Sequence, residues 1–141
     1  MADTEGIIAT ISTVREKANR YIAHELRKRG IDDIATPYGA IFVNLFRSGE
    51  LTMGEIARNI RRDKSTVTVL IRKLVDLGYI ETMASPRDAR ATVARLTEKG
   101  KSLEPVFWEI TKGIQKKIYK GFTDSEKEVL ATLLERMRDN F

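Results

Sequence analysis

Hydrophobic residues recur at spacings of three and four along most of this chain, the period of helices that bury one side. The first such stretch covers residues 4–29 and stops at Gly30, because glycine readily adopts the left-handed conformation that closes a helix. A second stretch follows Thr36 and Pro37, a helix-start signal, and stops at Gly49. The pattern therefore predicts a long opening helix and a shorter second one.

Two short helices in tandem are predicted next. Thr52 and Glu55 have the spacing of a capping box, in which each side chain pairs with a free amide at the helix start. Asp63 is placed to cap the following helix, and Gly78 is placed to end it. The buried stripe of that helix is expected to consist of Val67, Leu70, Ile71, Leu74 and Leu77.

After these helices the pattern changes to one typical of strands. Residues 79–84 and 91–96 are rich in strand-forming side chains, and the segment between them contains the turn residues Ser85 and Pro86. This pattern predicts a two-stranded hairpin with a charged tip.

Two further helices complete the predicted secondary structure. Thr97 is placed to cap the fifth helix, which Pro105 is expected to bend in its early turns. Gly121 ends that helix, and Thr123 with Glu126 forms a second capping-box pattern at the start of the sixth.

The order of these elements indicates the fold class. A short helix, a tight turn, a second helix and a basic hairpin make a winged helix-turn-helix lobe, expected over residues 37–96. At 141 residues the chain has the length of a single domain, 1–141, and residues 4–30 and 98–140 supply helices outside the lobe. We therefore expect a mainly α protein of about six helices with a small β-hairpin.

The composition of the chain excludes several classes of function. Lys and Arg number 25 against 20 Asp and Glu, and the net charge of +5 favours a polyanionic partner. The chain has no cysteine and one histidine, His24, which is too few ligands for a typical transition-metal site. The sequence offers no nucleophile with a base and an orienting partner, and no Gly-rich phosphate loop. We therefore expect no enzyme, no metal and no cofactor.

The sequence also indicates the cellular compartment of the protein. The opening residues carry no basic flank or apolar core of a secretory signal, and no apolar run is long enough to cross a bilayer. We therefore expect a cytoplasmic protein.

The fourth helix has a polar and basic face opposite its predicted buried stripe. In a helix-turn-helix the second helix enters the major groove, where hydroxyl groups and arginine reach base edges or phosphates. An ordinary solvated helix face has the same composition, so this pattern alone leaves both interpretations open. The candidate DNA-binding residues of this helix are Lys64, Ser65, Thr66, Thr68, Val69, Arg72 and Lys73.

The tip of the hairpin is the second candidate site. Arg87, Asp88 and Arg90 lie at the end of a projection whose basic side chains can enter a narrow minor groove. An ordinary charged turn is the alternative. The basic helix face and the basic tip together favour double-stranded DNA as the partner. A winged-helix module that binds another protein without specific DNA binding is the alternative from a different class.

Residues 51–100 resemble the MarR-type (multiple antibiotic resistance) regulators. The resemblance rests on the segments LTMGEIARNI, DKSTVTVLIRKLVDLGYI and SPRDARATVARLTEKG. The last segment contains Asp-x-Arg followed by Leu-Thr-x-x-Gly, which is the most specific part. The flanking long helices are also similar to those of the family.

The resemblance implies roles for individual residues. The hydroxyl and basic side chains expected along the major groove are Ser65, Thr66, Thr68 and Arg72. Arg90 is expected to reach the minor groove, and Asp88 to orient nearby arginines by ion pairing. The sequence departs from the family at Val69, where arginine is frequent, and at Thr82 and Met83, where a basic pair is common.

The terminal helices are the candidate dimer interface, because their apolar stripes are broad enough to cover both the lobe and a partner. Packing within one chain alone is the alternative. The resemblance implies a homodimer, and two half-sites one helical turn apart usually require one. The residues expected at the interface are Ile7, Ile11, Val14, Val129, Leu130, Leu133, Leu134 and Met137.

A small-molecule pocket is a further expectation from the resemblance. Aromatic residues between the dimer helices and the lobe are candidates to hold a small aromatic effector, although aromatics at helical spacing are also typical of a plain core. These residues are Tyr38, Phe42, Phe46, Phe107 and Trp108. The implied function is a transcriptional repressor that binds a pseudo-palindromic promoter site, with activation as the alternative. Release from DNA by such an effector is a further expectation.

Overall fold

The computed structural model describes residues 1–34 and 38–141. Within these residues the chain forms seven helices and three short strands. In chain order the elements are α1 (Ile7–Lys28), α2 (Gly39–Ser48), β1 (Glu50–Thr52), α3 (Met53–Ile60), α4 (Lys64–Asp76), β2 (Ile80–Ala84), β3 (Thr92–Leu96), α5 (Glu98–Lys101), α6 (Glu104–Ile118) and α7 (Asp124–Asp139). The mainly helical winged fold expected from the sequence is confirmed.

The predicted N-caps are present where the structure describes them. Both capping boxes form: the Thr52 hydroxyl accepts the Glu55 amide at 3.1 Å, and the Thr123 hydroxyl accepts the Glu126 amide at 3.1 Å. Gly78 lies just after the end of α4 and has φ +85°, the left-handed conformation that favours glycine. The predicted start of α2 at Thr36 and Pro37 lies outside the described residues.

The sheet has three strands, where the sequence predicted a two-stranded hairpin. β3 lies in the centre of the order β1-β3-β2, and both of its pairings are antiparallel. Leu51 of β1 pairs with Ala94, and Met83 of β2 pairs with Val93. The sequence did not predict β1, because this strand is only three residues long and its partner β3 is distant in the sequence. Such a short segment shows no readable alternation.

The predicted fifth helix is divided into the single turn α5 and the longer α6. Thr97 caps α5 as predicted, accepting the Gly100 amide at 3.2 Å. Pro105 lies in the first turn of α6 and does not bend a continuous helix. A proline has no amide to donate, and its ring would clash with the carbonyl four residues earlier, that of Lys101. The helix therefore stops at Lys101 and restarts at Glu104.

The hydrophobic core lies in the winged lobe, where α2, α3, α4 and the sheet meet. Its most deeply buried members are Ile41, Phe42, Leu45, Ile56, Val67, Ile71, Leu74 and Ala94, each at most 1% exposed. α7 has no buried residue at all. This core fixes the position of α4 and the hairpin relative to each other. No helix among the described residues is both long and apolar enough to span a membrane.

Candidate nucleic-acid interface

α4 has the two faces that the sequence predicted. Val67, Ile71 and Leu74 are buried against the core, each at most 1% exposed. The opposite face carries the candidate residues Lys64, Ser65, Thr66, Val69, Arg72 and Lys73, all exposed, with Thr68 half-buried at its edge. A polar and basic helix face is therefore held rigidly at the surface by a packed core.

Asp63 fixes the start of α4. Its carboxylate accepts the Ser65 hydroxyl and the Thr66 amide, both at 2.7 Å. The Ser65 hydroxyl, followed by the Thr66 amide, lowers the pKa of Asp63 from 3.8 to about 2. The Thr68 hydroxyl donates to the Lys64 carbonyl at 2.8 Å. The hydroxyl hydrogens of Ser65 and Thr68 are thus already engaged, and each hydroxyl oxygen keeps lone pairs that can accept a hydrogen bond.

A cleft of about 310 Å³ lies between α4 and the hairpin, and we call it the basic cleft. Its polar lining comes from both elements: Lys64, Thr68 and Arg72 of α4, and Thr82, Arg90 and Thr92 of the hairpin region. Its apolar lining consists of Met53, Ile71 and Val75. Three cationic side chains therefore surround one cleft without an acid among its lining residues, an arrangement suited to a phosphate group.

The structure brings together Arg90 of the hairpin with Lys64 and Arg72 of α4, as the predicted interface requires. Thr82, noted above only as a departure from the family, and Thr92, which was not predicted, complete the lining. Their places in the strands gave no local signal, because which strand residues face α4 depends on the register of the hairpin.

Arg87 is separated from Arg90 across the hairpin. It lines a different depression, together with Ser85 and with Thr52 and Glu55 at the start of α3. The pKa of Glu55 is lowered, mainly by its hydrogen bond from the Thr52 amide, and the nearby charge of Arg87 adds to this effect. The two arginines predicted to act together at the tip thus lie on different sides of it.

Asp88 closes the tip and does not orient an arginine side chain. Its carboxylate accepts the backbone amide of Arg90 at 3.0 Å, a short turn motif typical of aspartate. In the described part of the chain no ion pair joins Asp88 to an arginine. The ion pairing implied by the family resemblance is therefore wrong for this isolated chain, because the local turn engages the carboxylate.

The far end of α4 is clamped by α5. The Thr97 hydroxyl donates to the Gly78 carbonyl at 2.6 Å, and the Lys99 ammonium donates to the Leu77 carbonyl at 2.8 Å. Gly100 is buried against the carbonyl of Tyr79, where a Cβ atom would overlap it. These contacts give a physical reason for the Leu-Thr-x-x-Gly pattern, since they attach the end of α4 to the start of the helices that follow.

The clamp continues to the segment after α1. The Tyr79 hydroxyl donates to the Asp33 carboxylate at 2.7 Å, and the Tyr79 ring is 3% exposed. Burial first, and then Asp33, raise the pKa of Tyr79. The hydroxyl therefore stays protonated at neutral pH and acts as the donor. The end of α4 is thus connected to α5 and to Asp33 in the segment after α1.

The predicted aromatic pocket is largely a packed cluster. Phe42 is completely buried, and its ring centre lies 5.0 Å from that of Phe107 and 5.9 Å from that of Phe46. Trp108 packs beside Phe46 at 6.0 Å, and Tyr38 is half-buried against the core. These rings mainly fill space against one another, because their helical stripes face the same core.

An apolar cavity of about 200 Å³ lies next to this cluster, between α1, α2 and α6. Of the five aromatic residues predicted to hold a ligand, Phe107 lines it. The full lining is Ile22, Leu26, Ile34, Gly39, Val43, Phe107, Ile110, Thr111 and Ile114. Sequence periodicity does not predict this cavity, because an apolar helix stripe can either line a cavity wall or fill a core.

The terminal helices expose the apolar residues that the sequence assigned to a dimer. Val14 is 49% exposed, Val129 54% and Leu133 45% in the single chain. Ile7 and Leu134 are also exposed, whereas Ile11, Leu130 and Met137 are half-buried. At the far end of α7, Asp139 lies 3.3 Å from Arg61 in the turn before α4.

The chain is similar to known transcriptional regulators. The MarR family model matches residues 39–92. The exopolysaccharide II synthesis transcriptional activator ExpG of Rhizobium meliloti is 29% identical over 131 residues, which are 90% of this chain and 66% of that protein. The HTH-type transcriptional repressor IacR of Pseudomonas putida is 28% identical over 103 residues, which are 73% of this chain and 62% of that protein. The chain thus spans less than two thirds of the length of these relatives.

Solved structures show the same fold over nearly the whole chain. A MarR transcriptional regulator from Methanosarcina mazei Go1 matches with a TM-score of 0.79 and 28% identity, covering 97% of this chain and 96% of that one. A MarR mutant from E. coli, solved in complex with operator DNA, has a TM-score of 0.80 and 20% identity, covering 96% and 99%. The second likeness concerns the fold alone.

Proposed function

We propose that this chain is a MarR-type transcriptional regulator that binds double-stranded DNA as a homodimer, since the MarR family model matches residues 39–92 and the fold matches that of a MarR regulator. The basic cleft is the observation that carries this proposal. It combines Lys64 and Arg72 of the recognition helix with Arg90 of the wing on one surface. Such a surface is suited to the strongly charged backbone of DNA.

The binding mode follows from the two elements beside the cleft. The exposed face of α4 enters the major groove, the depth and width of which admit a helix. Arg90 extends from the wing toward the neighbouring minor groove. The sugar-phosphate strand between the two grooves then passes over the basic cleft, where three cations neutralise its charge.

The homodimer is supported by the exposed apolar faces of α1 and α7. Val129 and Leu133 each leave close to half of their surface in water in the single chain. Burying such surfaces against a second copy is favourable, and a two-fold axis places two recognition helices on one side of the DNA. A pseudo-palindromic site with half-sites about 34 Å apart would match that arrangement.

Repression is the regulatory outcome that requires the least machinery. A dimer that covers a promoter site blocks access to it, and this needs no contact with another protein.

Release by a small effector is supported by the position of the apolar cavity. It lies between α1 and α6, which are outside the lobe, and α2, which belongs to it. A ligand that binds better when these helices move apart lowers DNA affinity by its differential affinity for the two states. The nearly apolar wall, with Thr111 as its hydroxyl-bearing residue, suits a small aromatic molecule.

The effector proposal is tested by titrating DNA-bound protein with a panel of small aromatic compounds. Val43→Phe, which fills the cavity from α2, is the control variant. We expect at least one compound to lower the DNA affinity of the original chain and not that of Val43→Phe. No effect of any compound, or an equal effect on both proteins, would contradict the proposal.

The DNA-binding proposal is tested by selection of bound sequences from a random pool of duplexes, with the mass of the protein in solution measured alongside. We expect enrichment of an inverted repeat and the mass of a dimer. No enrichment at low salt would contradict specific DNA binding and would favour a winged-helix module that binds another protein.

A further inference from the structure

Val69 occupies the centre of the exposed face of α4 and is 63% exposed. Core packing does not explain a hydrophobic side chain at this position. Helix propensity does not explain it either, because a β-branched residue loses rotamer freedom in a helix and is a poorer helix former than alanine, lysine or glutamate. The residue is therefore unusual among the polar and basic side chains that surround it.

Val69 is the exposed hydrophobic side chain at the middle of this face, between polar neighbours. Ser65 lies one turn before it and Arg72 one turn after it, on the same side of the helix. The Ser65 hydroxyl donates to Asp63, and the hydroxyl of the adjacent Thr68 donates to the Lys64 carbonyl. The centre of the face thus offers the methyl groups of Val69, with Ser65 before it and the cationic Arg72 after it.

We propose that Val69 is a specificity-determining residue that selects a thymine through contact with the C5-methyl group of that base. This inference rests on the proposed function, since it requires that α4 lie in the major groove. Thymine is the base that presents a methyl group there, whereas guanine, adenine and cytosine present donors and acceptors. An isopropyl group against those polar edges would remove them from water without replacing their hydrogen bonds.

The proposal is tested on the duplex recovered by selection from the random pool. Each thymine of a half-site is replaced in turn by deoxyuridine, which lacks only the methyl group. Removing one buried methyl should weaken binding by the original chain about fourfold in each half-site. Val69→Ala should bind the thymine and uracil duplexes with equal affinity at that position.

Arg72→Ala is the matched control variant on the same helix face. It should weaken binding to both duplexes and keep their fourfold ratio, because it removes a charge and leaves Val69 in place. Both side chains are exposed, so thermal unfolding followed by circular dichroism should find folded proteins in each case.

The possible outcomes separate this inference from the proposed function. If no duplex is enriched, DNA recognition itself is contradicted. If a duplex is enriched but no uracil substitution weakens binding, or if Val69→Ala stays equally sensitive to uracil, the thymine contact is overturned while the regulator function stands.

Discussion

At the scale of residues, the two ends of α4 are held by different kinds of contact. Asp63 holds the start through its own neighbours Ser65 and Thr66, and the sequence was sufficient to predict that cap. Tyr79, just beyond the other end, contacts Asp33, a residue 46 positions earlier in the chain. No local pattern predicts such a pair, because it depends on how α1 and the lobe are packed.

The cap at Asp63 gives a pH-dependent prediction. Its pKa is lowered to about 2 in the folded chain, so its stabilising effect is complete above the ordinary value of 3.8 and is lost as pH falls through about 2. We expect the Thr66 amide signal in nuclear magnetic resonance spectra to titrate with a midpoint near 2. Asp63→Asn should remove this titration. A midpoint close to 3.8 would mean that the carboxylate is not held by Ser65 and Thr66.

The separation of Arg90 from Arg87 gives a prediction about DNA affinity. Arg90 lines the basic cleft, whereas Arg87 lies on the Glu55 side of the wing. Arg90→Ala should make the slope of log affinity against log salt concentration shallower by about one, the value for one lost phosphate contact. Arg87→Ala should change the slope less. Equal losses in the two variants would show that the cleft does not distinguish these arginines.

At the scale of elements, the sequence predicted the features that depend on neighbouring residues. The stripe of α4 and the capping boxes at Thr52 and Thr123 depend on residues within one or two turns, and all were found. β1 was not predicted, since three residues give no readable alternation and the pairing with β3 is long-range. The sequence predicted one helix bent near Pro105, and the chain has two separate helices, α5 and α6. A proline gives the same sequence signal for a bend and for a break.

The clamp of α5 on the end of α4 predicts different effects for two glycines in helices. Gly100→Ala places a methyl group against the Tyr79 carbonyl and Leu96, and it should lower the free energy of unfolding by about 1–3 kcal/mol through overpacking. Gly54→Ala in α3 meets no atom within 4 Å and should raise stability by about 0.5–1 kcal/mol. Urea unfolding at fixed protein concentration measures both. Equal stability of the two variants would contradict the close approach at Gly100.

At the scale of the whole molecule, the lobe buries its own core, whereas α1 and α6 bury few residues and α7 buries none. α7 has no buried residue, and its apolar stripe faces water in the single chain. The breadth of these stripes in the sequence predicted surfaces directed both at the lobe and at a partner. Which residues meet a second copy depends on its placement, so the assigned interface residues stay predictions.

The exposed stripe of α7 predicts how the protein associates. Leu133→Asp places a charge in the proposed interface, where burial without a partner charge is costly, and should convert the dimer to a folded monomer. Thr132→Asp changes the adjacent, exposed position outside the stripe and should leave the dimer intact. Sedimentation equilibrium distinguishes these masses. A dimeric Leu133→Asp variant would remove the middle of α7 from the interface.

The most direct test of the central claim, that the basic cleft binds DNA, compares two variants of equal net charge. One carries Lys64→Ala, Arg72→Ala and Arg90→Ala in the cleft. The other carries Lys112→Ala, Lys116→Ala and Lys120→Ala in and just after α6, where these lysines are exposed. Affinity for a duplex is measured over a series of salt concentrations. We expect the cleft variant to lose most of its binding and most of its salt dependence, and the α6 variant to keep both. Equal losses in the two variants would contradict the claim, because overall charge and not the cleft would then govern binding.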